Sequence, residues 1–289
     1  MRRAILLVAV MLIAVLVAST VAYASHSWTN SKGEAYHWAR TSNPFTLKLG
    51  DNVTDKWQTY LETTSSNGQK QGWDDSSELE TDIVTGGTNP KRCSATSGRV
   101  EVCNAKYGNT GWLGVAGIYV SGDHITKGYS KLNDTYFDTA KYNTPGWRNL
   151  VMCQEVGHTL GLDHQDENFD NPNLGTCQDY TRDPDGKAAD PDQLSNEYPD
   201  QHDYDQLASI YKHLDSTTTV GQTSTTNRLP AAANQAADDS DPSKWGQLIR
   251  LSPDGRLALY RQDLGGGHKL FRFVIWADGA PQANRDARH

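Results

Sequence analysis

Apolar residues follow two rhythms along the chain, every second position in some stretches and every third or fourth in others, and the changes between them mark the elements. Residues 34–50, EAYHWARTSNPFTLKLG, carry aromatic and alternating apolar positions that predict a first strand ending at Gly50. Trp57, Tyr60 and Leu61 then sit at helical spacing behind a start signal at Asn52, Thr54 and Asp55, and the Gly, Asn and Ser cluster from Ser65 to Gly72 stops that helix. Alternation returns over Ser97–Tyr107, Trp112–Val120 and Ile125–Asn133, giving three strands. Residues 146–160 read as a helix opened by Pro145 and Gly146. Residues 203–214 read as another, with Leu207, Ile210, Tyr211 and Leu214 forming a stripe that faces a core. The expected class is α+β.

From Ser216 to about Ser243 the composition turns to Thr, Ser, Ala, Asn and Pro, which reads as a flexible linker. Beyond it Leu248–Leu251, Arg256–Arg261 and Lys269–Trp276 predict three short strands joined at Pro253–Gly255 and Gly265–Gly267. A cysteine-free piece of about 45 residues buries too little apolar surface to stand alone, so it should dock on the larger domain or on a partner.

The first residues change the setting. Met1, Arg2 and Arg3 precede an apolar run from Ala4 to Ala18, and Ala22, Tyr23 and Ala24 supply small residues around a cleavage point. This is the pattern of a secretory signal peptide cut after Ala24, since the apolar run falls short of the roughly twenty residues a membrane span needs. The expected product is secreted and extracellular, with no stable membrane anchoring after cleavage. The division is then 1–24 signal peptide, 25–215 main domain, 216–244 linker and 245–289 C-terminal β segment. The chain carries 27 basic and 35 acidic residues, and loss of Arg2 and Arg3 leaves 25 basic, a net charge of −10. That acidity argues against nucleic acid as a partner.

Cys93, Cys103, Cys153 and Cys177 all follow the signal. An even count in an exported chain implies two disulfides, with three possible pairings. Cys93 with Cys103 is preferred, closing a hairpin through Ser97 and Gly98, which leaves Cys153 with Cys177. Thiolate ligation of a metal competes with this, but Cys153 lies about 140° round the helix from His158 and points away from it.

Candidate chemistry concentrates in residues 154–164, QEVGHTLGLDH. Gln154 and His158, four apart, share one helix face and Glu155 sits beside them. Gly161 can take a left-handed conformation, end the helix and swing His164 back toward His158. The stretch resembles the HExxHxxGxxH signature of metzincin zinc endopeptidases at four of its five fixed positions, with Gln154 where the first His should stand. The resemblance implies a metzincin-like catalytic domain: a twisted mixed sheet with an edge strand beside the cleft, an active-site helix and a closing C-terminal helix.

By the same resemblance, His158, His164 and Gln154 would hold Zn2+ and Glu155 would be the general base toward the water on that zinc. Gln154 offers only a neutral amide oxygen, and His124 or His202 are alternatives for completing the shell. A second landmark of the family, a turn beneath the metal centred on Met and followed by Tyr, corresponds to TCQDYT, with Gln178 at the Met position and Tyr180 as a candidate donor to the substrate oxyanion. Gly111–Ala116 takes the place of the edge strand, which would bind an extended peptide or protein substrate by main-chain hydrogen bonds. Residues 203–214 resemble the closing helix of matrix-metalloproteinase-like domains, and Arg182–Asp200 would wall the specificity pocket. Acidic residues at 163, 166, 167, 170, 183, 185, 190 and 192 suggest Ca2+ as a second cation. About ten residues between the cleavage point and the first strand leave no room for an inhibitory prodomain. The implied function is that of a secreted, monomeric zinc metalloendopeptidase. The alternative is a catalytically weakened metzincin-fold metal- or protein-binding protein.

Overall fold

Alternating burial sets the strands. In the strand Phe45–Asn52, Phe45, Leu47 and Leu49 turn inward while Thr46 and Lys48 face solvent, the period of a one-sided strand. The computed structural model describes residues 26–30, 32–66, 71–188, 192–223 and 237–280; the expected signal peptide lies outside them. Among them the strands are β1 (His37–Trp38), β2 (Phe45–Asn52), β3 (Leu79–Thr85), β4 (Val100–Ala105), β5 (Trp112–Ser121), β6 (His124–Asn133), β7 (Gln247–Leu251), β8 (Leu257–Gly265) and β9 (His268–Trp276). The helices are α1 (Asp55–Ser65), α2 (Asp134–Phe137), α3 (Pro145–Thr159) and α4 (Gln201–Ile210). No helix of the described residues is long and apolar enough to cross a membrane.

The strands form one mixed sheet of nine in the order β3-β2-β4-β6-β5-β9-β8-β7, with β1 pairing β6 off that path. Pairings among β1, β2, β3, β4 and β6 are parallel; β5 and the three C-terminal strands are joined by antiparallel pairings. The α+β class stands, with three corrections in detail. The expected first strand is two, β1 and β2, interrupted where the buried Arg40 turns to Asp215. β3 was not anticipated, although Leu79 and Thr81 are buried and Glu80 and Asp82 exposed at the period of two.

The third correction concerns the edge. Gly111–Ala116 was expected at the rim of the sheet, but β5 lies inside it, with β6 on one side and β9 on the other, from Trp112 opposite Trp276 to Ser121 opposite His268. An open edge is a row of unpaired N–H and C=O groups, and β9 satisfies that row from within the chain. The C-terminal β segment is thus a continuation of the main sheet. Its Phe271, Phe273 and Ile275 join the core shared with α3, and Val274 and Trp276 join a second apolar cluster on the opposite face.

The two ends of the low-complexity stretch are also pinned. Thr219 N donates to Ala39 O and Gly221 N to Gly98 O, both at 2.8 Å. At the other end Asp239 lies beneath the sheet, fully buried, and its carboxylate accepts from Lys131 Nζ (2.7 Å) and Tyr129 OH (3.1 Å) on β6 and from Arg272 Nε (2.7 Å) on β9. Trp112 Nε1 donates to Asp239 O at 2.9 Å. Burial pushes the Asp239 carboxyl up, and the Lys131 and Arg272 cations outweigh it, so its pKa lies below the ordinary value.

Both disulfides are present, Cys93–Cys103 and Cys153–Cys177. The first does not close a hairpin: Cys93 sits in a turn with φ 47°, and the bond pins the loop before β4 onto that strand.

Asp239→Asn should cost about 3–5 kcal/mol of stability in urea unfolding, because it leaves two buried cations without their anion. An effect below about 1 kcal/mol would show that the two cations find other partners. The same group gives an acid dependence. Its depressed pKa contributes stability that is present above the unfolded value and is lost as pH falls through the folded one.

Candidate functional site

Helix α3 starts where the sequence predicts. Thr144 Oγ1 accepts from Trp147 N at 3.3 Å, and Pro145 occupies the first turn, where a missing N–H costs nothing. The helix lies across β5 and β6 and is buried on every side, because sheet, α1 and the 177–180 turn surround it. It ends at Gly161, which takes φ 102°; a Cβ there would stand 2.5 Å from Tyr36 O. The chain then doubles back and sets the His164 ring edge-on to His158, with centroids 4.4 Å apart. His158 Nδ1 lies 2.9 Å from Leu162 O, so the ring donates there and keeps its Nε2 lone pair.

Glu155 points up at β5. Its carboxylate takes a hydrogen bond from the Ala116 backbone and touches the space beside Gly114, where a Cβ would come within 2.5 Å of Oε1. Its Oε2 is buried without a partner. Burial drives the Glu155 carboxyl well above the carboxylate range, against the pull of the Ala116 hydrogen bond. Burial, aided by the neighbouring His164, drives the His158 imidazole well below its ordinary value, and His164 falls to about 3 for the same first reason. Both rings are therefore neutral at pH 7, the state in which imidazole binds metal.

Gln154 and Gln178, the two positions at which the sequence departs from the motifs it resembles, meet each other. Gln154 Nε2 donates to Cys177 O at 2.8 Å, and Gln178 Nε2 donates to Gln154 O at 3.4 Å. The Cys153–Cys177 disulfide stands beside them, so helix and turn are stitched by one covalent and two polar links. Gln154 Oε1 and Gln178 Oε1 are buried without partners. Tyr180 OH lies 2.9 Å from His164 Nε2, which ties the second landmark to the third motif position. Neither alternative ligand reaches the motif: His202 Nδ1 lies 3.0 Å from His26 Nε2, and His124 sits at the start of β6 beside His37 and Asp215.

A roof covers this arrangement. Phe273 of β9 stacks on His158 at 4.4 Å between centroids, and Trp28 meets Phe273 edge-on at 3.8 Å while its Nε1 donates to Leu162 O at 2.7 Å. Arg250 of β7 grips Asp163 with both guanidinium nitrogens and reaches Glu167 at 3.0 Å. Glu155, His158 and Tyr180 are each 1% exposed, so the motif is sealed from solvent. No sequence signal marked Phe273, Trp28 or Arg250 for this role: alternation identifies a strand but not its neighbour.

Among the described residues, the groups of His and carboxylates near enough to share one ion are His37, His124 and Asp215, and Asp163, His164 and Glu167. The second includes one motif residue, but Arg250 is already paired with both of its acids. Toward zinc, the motif offers the chemistry of two neutral imidazoles with an orphaned amide oxygen on Gln154 and an orphaned carboxylate oxygen on Glu155, donor types that zinc accepts. Of the acids considered for calcium, Asp170 pairs with Arg182, Asp185 with Lys187, and Asp183 accepts from Ala188 N. Asp190 lies outside the described residues. The chain matches no protein-family model, and no curated protein resembles it significantly.

Gly114→Ala should press a methyl onto Glu155 Oε1 and Val151 Cγ1, 2.5 and 2.7 Å from the ideal Cβ, and destabilise the fold by about 1–3 kcal/mol. A neutral effect in thermal unfolding would mean that α3 and β5 separate more readily than this packing implies.

Proposed function

We propose that the protein is an exported zinc-dependent endopeptidase of metzincin type, described here in a closed state that its C-terminal strands maintain. The observation that carries the reading is the meeting of two neutral imidazoles, His158 and His164, with ring centroids 4.4 Å apart and His158 three residues along α3 from Glu155, whose Oε2 is buried without a partner. His158 and His164, with the amide oxygen of Gln154, would hold the metal. When bound, zinc supplies a Lewis acid for the scissile carbonyl and acidifies its water.

The chain's own residues supply the rest. Burial favours the protonated form of Glu155 in the closed state, so it would accept a proton only once opening admits water to its carboxylate, and would then deliver it to the departing amine. Tyr180, released from His164 Nε2, donates its O–H to the carbonyl oxygen. For β5 to align an extended peptide, β9 would first have to leave the row of N–H and C=O groups that it holds. Substrate and β9 therefore compete for one strand, and Phe273 must leave His158 before a peptide enters. The two disulfides and the acidic surface suit an exported protein.

A second reading, a metal- or protein-binding protein without catalysis, is favoured by one observation. Gln154 turns its amide nitrogen to Cys177 O, where the family signature has an imidazole.

Zinc content and casein hydrolysis of the full chain, of Phe273→Ala and of the milder Phe273→Leu, each with and without Glu155→Gln, separate the two. Uncovering His158 should raise chelator-sensitive hydrolysis about tenfold or more by enlarging the competent population, and Glu155→Gln should abolish it. Zinc uptake with no hydrolysis in any form favours the binding protein. No zinc dependent on His158 removes the endopeptidase reading.

A further inference from the structure

A second gathering of imidazoles lies at the other end of β6 from the residues that pair with β4, and the motif does not use it. His37 of β1 and His124, the first residue of β6, are register partners across a parallel pairing. Asp215 follows α4 and is brought to them by the chain after that helix, its N donating to Arg40 O at 2.9 Å. One oxygen of its carboxylate is committed: Oδ2 accepts from Arg40 N at 3.1 Å and from Arg40 Nη1 at 3.0 Å. The other, Oδ1, faces three imidazoles, with His124 Nε2 at 3.3 Å, His37 Nε2 at 3.4 Å and His213 Nε2 at 3.6 Å.

His37 Nε2 lies within hydrogen-bonding reach of Oδ1, and the same convergence suits a divalent cation. His37 Nδ1 lies 2.8 Å from Ala35 O, so it carries the proton and donates to that carbonyl, leaving the Nε2 lone pair aimed at a carboxylate oxygen. A lone pair facing an anion at 3.4 Å is repulsive unless the ring is protonated and donates there or a cation stands between them. Protonating His37 places a second positive charge beside Arg40, whose own charge Oδ2 already meets. A divalent cation relieves it with the rings neutral.

We infer that His37, His124 and Asp215 form a three-ligand metal site for a divalent cation of the zinc class, with a fourth position open to water. Zinc–nitrogen bonds of about 2.0–2.1 Å place tetrahedral ligands about 3.3–3.4 Å apart, and Oδ1 lies 3.3 Å from His124 Nε2 and 3.4 Å from His37 Nε2. Two imidazoles and one carboxylate oxygen select a borderline cation over calcium, which takes six to eight oxygens. The Ala35 carbonyl behind His37 and Arg40 behind Asp215 are the partners that orient such ligands. Asp123, with Oδ1 3.7 Å from His124 Nε2, adds negative potential at the mouth. A cavity of about 540 Å³, bordered by His37, Asp123 and His213, gives the ion a way in. His37, His124 and Asp215 lie on segments remote in sequence, so the bound ion fastens the chain leaving α4 onto the first strand and the β5–β6 turn.

The test uses full-length His158→Gln, which removes the motif imidazole, stripped with a chelator and titrated with Zn2+ and with Co2+. One equivalent of Zn2+ should bind and raise the melting temperature, and Co2+ should give the intense visible absorption of a tetrahedral site. Adding His124→Gln, at a side chain 32% exposed, should lower zinc affinity more than about tenfold and abolish the thermal shift. His213→Gln, at a side chain 49% exposed and outside the ligand set, should leave affinity within about twofold, which makes it the control for a loss specific to the ligands. Absence of zinc binding in His158→Gln, or an affinity that His124→Gln does not move, overturns the site. Failure of the endopeptidase reading is separate: wild type would then take up no more zinc than His158→Gln.

Discussion

Everything around the motif depends on the antiparallel pairing of β5 with β9. Nine residue pairs from Trp112 to Ser121 fix the register, and that register alone sets Phe273 opposite Ala116 and over His158. A slip of one residue would turn Phe273 to the opposite face and bring Arg272 toward the imidazole. The buried Asp239 holds this register from beneath, since its carboxylate bridges Lys131 and Tyr129 on β6 to Arg272 on β9 across the intervening strand. Roof and floor of the motif are thus parts of one sheet.

The motif itself shows how substitution and packing go together. A Met beneath the metal would need nothing but apolar neighbours, whereas a buried Gln needs partners. Gln178 finds one in the backbone of Gln154, and Gln154 finds one in Cys177. The adjacent disulfide keeps the two segments at the spacing these bonds require. Gln154 and Gln178, read along the chain as two separate departures from a signature, are in space one polar seam between helix and turn.

Local chemistry was legible in the sequence. Pro145 behind Thr144, the left-handed turn at Gly161, the return of His164 to His158 and the three short C-terminal strands all rest on rules that act within a few residues. What was not legible is long range. Period-two alternation in residues 269–276 predicts a strand but is silent on its partner, so the burial of the expected edge under β9 could not be read. The polar composition of residues 216–244 suggested a linker, but the pinning of Thr219, Gly221 and Asp239 depends on backbone groups and on one buried carboxylate, which composition does not weigh. Buried acids and imidazoles such as Asp215 and His37 carry no period at all; only the fold reveals that they meet.

The distance along the chain between β5 and β9 bears on how the protein is made. Synthesis proceeds from the N-terminus, so β5 emerges with Val115, Ile118 and Tyr119 on it and one rim bare, and its complement follows some 150 residues later. Closing so long a loop is slow. During that interval the nascent chain displays an apolar strand ready to add to any neighbour of the same kind, and β9 acts as the molecule's own protection against aggregation.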